Sequence, residues 1–144
     1  MNLTALKTHL REEEGTVLHA YPDHMGFLTI GTGRLIDKKK GGGITKEEAD
    51  YLLENDISRI LEKLLDALPW FDDQPEPVQI ALMSMAFQMG VNGLLAFKTT
   101  LGLIRQGMYA HAADNALKSM WAKQTPERAK RVTDMIRNAK TKGA

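Results

Sequence analysis

The chain has 144 residues, a net charge of +1 and no cysteine. That length suits one domain or two small lobes sharing a core, and it is enough to bury most of the surface an unfolded chain exposes. The missing cysteine excludes a disulfide framework, a thiolate metal site and a cysteine nucleophile, so the fold is indifferent to the redox compartment.

The start, "MNLTALKTHLREEEG", has no basic opening, no continuous apolar core and no small-residue cleavage pattern, so it does not read as a signal peptide. No apolar run approaches the ~20 residues of a membrane span, "IALMSMAF" coming nearest, and a soluble chain is expected. Leu3, Leu6 and Leu10 fall at helical spacing and predict a helix over 2–13 that stops at Gly15, which puts Glu14 at a helix end. Over 18–36 the texture changes to short apolar pieces broken by "YPD", "MG" and "GTG". This predicts a small antiparallel sheet with tight turns, and "DKKKGGG" reads as the loop after it.

Thr45 and Glu48 form a capping box, followed by Ala49, Leu52, Leu53, Ile57, Ile60, Leu61, Leu64 and Leu65. They predict one helix of roughly twenty residues, ~30 Å long, ended by Pro69. Residues 78–89 are apolar nearly all round, as in a helix buried inside a helical lobe, and Gly90 and Gly93 bracket a turn. Helices over about 93–105 and 109–120 follow. The last helix opens at "TPERAKRV", with Thr125 as N-cap and Pro126 at the first helical position. From residue 118 onward there are eight Lys or Arg against Glu127 and Asp134, a basic end that faces anionic partners or merely water.

Several motifs carry little. "GTGRLI" lacks the third glycine of a dinucleotide fingerprint and leads into a loop, so it reads as a turn. His9, His19, His24 and His111 have no metal-ligand spacing, and no metal is expected. "RAKRVTDMIRNAK" comes without aromatic platforms, so a solvated basic face outweighs a nucleic-acid or membrane-surface helix. Glu14, Asp23 and Thr29 are different. Glycoside hydrolysis needs a carboxylic acid to protonate the leaving oxygen and a second carboxylate acting as base or nucleophile. A helix-end Glu backed by apolar residues has its pKa raised by desolvation, whereas an Asp in an open turn stays ionised, and Thr29 is placed to hold a water. Acids this close in sequence are also common as solvated helix ends and turn formers, so on spacing alone both readings stay open.

The stretch "EEGTVLHAYPDHMGFLTIGTGRL" resembles the active-site segment of the bacteriophage-type lysozymes, E-G-x5-Y-x-D-x2-G-x2-T-I-G-x-G, matching it at Glu14, Gly15, Tyr21, Asp23, Gly26, Thr29, Ile30, Gly31 and Gly33. The likeness continues through "GGITKEEADYLLENDI", "ALMSMAFQMG", "LLAFKTTL" and "SMWAKQTPERAKRV", covering nearly the whole chain in order. It implies an α+β, mainly helical, two-lobed fold within one domain over 1–144. The lobes would be about 14–50 and 66–144, the latter taking the helix 1–13, and a helix over about 46–67 would join them. The implied reaction is hydrolysis of the β-1,4 bond between N-acetylmuramic acid and N-acetylglucosamine in peptidoglycan, by a monomer without cofactor. Glu14 would be the general acid, and Asp23 with Thr29 would manage the nucleophilic water.

By the same resemblance Leu35, Phe87, Gln88, Thr100 and Asn115 match substrate-binding positions, and Arg128 matches an arginine that reaches back to the catalytic Glu. Phe87 and Leu35 also fit an ordinary core, while Gln88 is polar in a helix otherwise too apolar to want it. Synthesis in a host cytoplasm and action on the cell wall follow, with a weak contact of the basic C-terminal end to anionic envelopes and no nucleic-acid partner. The position of Arg34 is commonly histidine in this family, and the loop before the long helix is short and Gly-rich. Asp56 falls on the helix's apolar stripe, where an acid wants a partner, and by the same resemblance it matches an acid that the family's histidine can pair with, so an Arg34–Asp56 ion pair is expected. The competing class is a catalytically reduced binder of cell walls or anionic surfaces with the same fold.

Overall fold

The Asn2 side chain accepts the amide of Ala5 and so starts the first helix, α1 (Leu3–Glu14). Gly15 ends it at φ 73°, a left-handed backbone that suits glycine, its amide returning to Arg11. This computed structural model describes residues 1–140, and the chain divides into two units, one over Met1–Leu52 and a second from Leu53 onward.

In the first unit β1 (Val17–Pro22), β2 (Leu28–Gly31) and β3 (Arg34–Leu35) form the expected antiparallel sheet in that order. β2 is central, so Thr29 faces Tyr21 on one side and Leu35 on the other, and a register shift lies between Val17 and Tyr21. A 3-10 turn, Lys38–Lys40, occupies the expected loop. Thr45 and Glu48 form the capping box at the head of α2 (Lys46–Ala67): Thr45 Oγ1 accepts the Glu48 amide at 3.1 Å and Glu48 Oε1 accepts the Thr45 amide at 2.9 Å. Thr29, at 5% exposure, is the one buried residue of this unit. The leucines of α1 and the first half of the α2 stripe are exposed, so helical spacing gave the helices but not their burial.

The second unit holds the core. Leu64 near the end of α2, Phe71 after it, Leu82, Met85 and Leu94 of α3 (Glu76–Leu95), Ile104 of α4 (Lys98–Arg105) and Ile136 of α7 (Pro126–Arg137) are all almost or wholly inaccessible. Between the last two helices lie α5 (Tyr109–Ala116) and the short α6 (Met120–Gln124), where a single helix to residue 120 was expected. Ser119 breaks it by capping Ala122 with its hydroxyl. Two further expectations need correction. Gly90 does leave helical geometry, at φ 81°, but α3 resumes and runs on to Leu95. Thr125 does take the N-cap position before Pro126, but its hydroxyl donates to the Trp121 carbonyl and makes no capping bond to α7.

α3 is also long and apolar enough to cross a membrane on length and composition, the only such helix among the described residues. Scattered Gln79, Ser84 and Gln88 hide this from a search for apolar runs. Its Val78, Ala81, Leu82, Met85 and Ala86 are packed in the core, while Ile80, Phe87 and Gln88 leave another side open. The expectation of a helix buried all round is therefore half met. Leu82 has no exposed surface, so Leu82→Ala should cost about 2–5 kcal/mol through lost burial and a residual cavity. Urea unfolding measures this, and a loss below ~1 kcal/mol would mean that the core collapses around the gap.

Candidate functional site

The turn after β1 is built on the Asp23 side chain. Its Oδ1 accepts the amides of Met25 and Phe27, both at 2.9 Å, and its backbone closes the turn through Gly26 and Phe27. The Phe27 amide is the main influence holding the Asp23 carboxyl below its ordinary value; partial desolvation opposes it, and Met25 adds to it. Asp23 is therefore ionised throughout the neutral range. The Phe27 carbonyl, in turn, accepts the Thr29 hydroxyl at 3.0 Å. A single peptide residue thus orients both candidates. Thr29 has spent its only proton on that carbonyl, which leaves its oxygen an acceptor.

Glu14 ends α1 against the "GTG" turn. A Cβ on Gly33 would lie 3.0 Å from Glu14 Oε2, so the missing side chain makes room for the carboxylate, and φ 69° at Gly33 favours glycine as well. Glu14 is exposed, so the apolar backing expected from its position is not what surrounds it.

Arg34 follows Gly33 and grips Glu48 with both guanidinium ends, Nη1 to Oε1 at 2.8 Å and Nη2 to Oε2 at 2.7 Å, with a longer bond to the Gly43 carbonyl. Asp56 pairs with Arg59, one turn along its own helix. The expected Arg34–Asp56 pair therefore gives way to two local ones, since the capping box already aims the Glu48 carboxylate and Arg59 sits three residues from Asp56. The Arg34 hydrogen bond, assisted by the Thr45 amide, pulls Glu48 from 4.5 down to about 2, and Arg34 itself is pushed up.

Leu35 is half-buried on β3 and lines, with Gly33, Arg34, Gly42 and Glu48, a recess of about 610 Å³. The remaining candidates belong to the second unit. Phe87 is 46% exposed, which removes the plainer reading of it as core. Gln88 accepts the Trp121 indole N–H at 2.9 Å, and Trp121 also meets Phe97 edge-on, with ring centres 6.0 Å apart. The Thr100 hydroxyl donates to Asn115 Oδ1 at 2.7 Å, and the two residues line a recess of about 340 Å³. Arg128, expected to reach Glu14, donates through Nη2 to the carbonyl and hydroxyl oxygens of Ser84. In the basic end Lys130 pairs with Asp134 and Arg137 with Asp114; Lys142 lies outside the described residues.

Phe27, Gly33, Glu48 and Ser84 are the supports that sequence reasoning missed. For Gly33 the "GTG" turn was a signal, whereas backbone service by Phe27 leaves none.

The phage lysozyme family profile matches residues 11–140. The chain belongs to the phage lysozyme family. The chain is 32% identical to "Probable T4-type lysozyme 1" of Dictyostelium discoideum over 161 aligned positions, 93% of this chain and 94% of that one. It is 34% identical to the pre-baseplate central spike protein Gp5 of Enterobacteria phage T4, of which it spans 26%, with 88% of this chain aligned. It is 32% identical to the endolysin of Salmonella phage P22 across 81% of this chain and 80% of that protein. Membership makes this a glycoside hydrolase of the lysozyme type, and the helices with one small antiparallel sheet are the lysozyme-like fold.

Two outcomes follow from this geometry. Gly33→Ala should destabilise the protein by about 1–2 kcal/mol, because a left-handed backbone is forced on a residue with a Cβ, and it should also displace Glu14. Activity measured under fully folded conditions then falls, and unchanged activity would mean that Gly33 serves only the turn. Glu48 has a depressed folded pKa, so its stabilisation is complete above its unfolded value of 4.5 and disappears as pH falls through about 2. Unfolding midpoints followed between those limits should drop more steeply for the native chain than for Glu48→Gln, and parallel curves would refute the linkage.

Proposed function

We propose that this protein hydrolyses the β-1,4 bond between N-acetylmuramic acid and N-acetylglucosamine, and so lyses a host bacterium. Glu14 acts as general acid toward the leaving oxygen. Asp23 Oδ2 and the Thr29 oxygen, both acceptors, hold the attacking water by its two hydrogens. A carboxyl pulled low makes Asp23 a weak base, so it mainly orients that water and stabilises the positive charge that develops on the sugar, and it takes up the water's proton only as the new C–O bond forms. Leu35, Phe87, Gln88, Thr100 and Asn115 bind the glycan. The observation that carries the reading is the pair of Phe27 hydrogen bonds, which hold the Asp23 carboxylate and leave the Thr29 oxygen an acceptor, in a chain of the phage lysozyme family.

Synthesis in the host cytoplasm and release to the wall belong to the same reading, and the endolysin of Salmonella phage P22 among the relatives supports it. The exposed cations of the last helix supply a weak, salt-screened attraction to anionic envelopes.

The test is clearing of outer-membrane-stripped Gram-negative cells. Glu14→Gln cannot donate the proton and should lose on the order of 100 to 10,000-fold in rate with its melting curve unchanged. More than about a tenth of native activity in that variant would remove Glu14 from the acid role. An inactive native protein that still pellets with cell walls would instead identify a binder.

A further inference from the structure

Lys38, Lys39 and Lys40 are three adjacent cations, and a run of this kind is usually a solvated face. Here the run is fixed from both sides. Asp37 Oδ1 accepts the Lys39 amide at 2.9 Å and its Oδ2 accepts the Leu28 amide at 3.2 Å, while its carbonyl takes the amides of Lys40 and Gly42. Both carboxylate oxygens of the nearest acid are therefore occupied by backbone. None of the four ion pairs among the described residues uses these lysines, and all three are exposed. On its other side the Lys40 ammonium sits 4.7 Å from the centre of the Phe27 ring. Phe27 and Leu28, the two anchors of the turn, immediately precede Thr29, and Phe27 is the residue whose peptide orients Asp23 and Thr29. The backbone of the lysine turn, and through Lys40 one of its ammonium groups, is thereby tied to the residues that precede Thr29.

The charge around them poses a problem that they solve. In residues 1–52 acids outnumber bases eight to seven, with Glu12, Glu13, Glu14 and Asp23 close to or within the candidate site. Peptidoglycan carries carboxylates on its stem peptides, so an acidic site repels it unless cations are provided nearby.

We propose that the turn Lys38–Lys40 is a carboxylate-reading edge that holds the stem peptide next to the glycosidic bond being cut. This rests on the hydrolytic reading above. The experiment uses the full chain with Lys38→Gln, Lys39→Gln and Lys40→Gln combined, keeping Asp37 and checking the fold by its melting curve. Initial rates are compared on peptide-bearing glycan strands and on the same strands stripped of peptide by an amidase. The expected result is a roughly three- to tenfold higher KM on the peptide-bearing strands, kcat unchanged, a difference that vanishes at high salt, and no change on stripped strands. An equal change on both substrates, or none on either, overturns the proposal. Pelleting with sacculi in a Glu14→Gln background gives a second readout, with weaker pelleting of the lysine variant expected. It keeps the question open to decision if the native chain proves unable to cut either strand, which would sink the hydrolytic reading separately. Weaker binding of the variant to phosphatidylglycerol vesicles with unchanged pelleting on sacculi would make the turn a membrane contact and overturn the assignment.

Discussion

The small unit depends on the peptide groups around one residue, Phe27. Its N–H bonds the Asp23 carboxylate and its C=O accepts both the Asp23 amide and the Thr29 hydroxyl. Hydrogen bonds to an ionised acceptor are shorter and stronger than neutral ones, so the carboxylate is itself what closes the turn. The group whose charge the proposed reaction uses is thus also the one whose charge closes the turn, and no separate device is needed to keep it ionised.

The two units are held by different physics. In Leu53–Ala144 a contiguous apolar cluster packs α3 to α7 around Leu82, Met85, Ile104 and Ile136, with the buried Tyr109 hydroxyl satisfied by Gln74. In Met1–Leu52 Thr29 alone is buried, and order comes from a three-strand ladder, the Asp23 and Asp37 turns, the capping box and the Arg34–Glu48 pair. Arg34 fits that scheme. A guanidinium binds the two Glu48 oxygens together and never loses its proton in the working range, so the connection between the sheet and the head of α2 is indifferent to neutral and mildly alkaline pH.

Much of this was legible in the sequence, for local reasons. Gly15, the Thr45/Glu48 box and Pro126 act within a few residues of themselves, and each marked its helix boundary. The resemblance of the segment singled out Glu14, Asp23 and Thr29, which spacing alone left open, and the structure ties the last two to the peptide groups on either side of Phe27. The partners of long side chains were not legible. Arg34 and Arg128 each had several acceptors in reach, and the choices of Glu48 and Ser84 are made by backbone geometry that periodicity does not encode. Helix burial failed for a related reason: an apolar stripe states that a face is available for packing, and the exposed Leu6, Leu10, Leu52 and Ile57 carry the same signal as the buried Leu64.

The solitary burial of Thr29 has a thermodynamic corollary. Heat capacity and denaturant slope both scale with the surface uncovered on unfolding, the former mainly with its apolar part. A local opening of Met1–Leu52 uncovers little that is not already wet, so calorimetry and urea titration register mainly the larger unit. Amide exchange has the opposite sensitivity, since the ladder of β1, β2 and β3 is made of the very N–H groups it counts. The unit that carries Glu14, Asp23 and Thr29 can therefore loosen while bulk measures of stability stay constant.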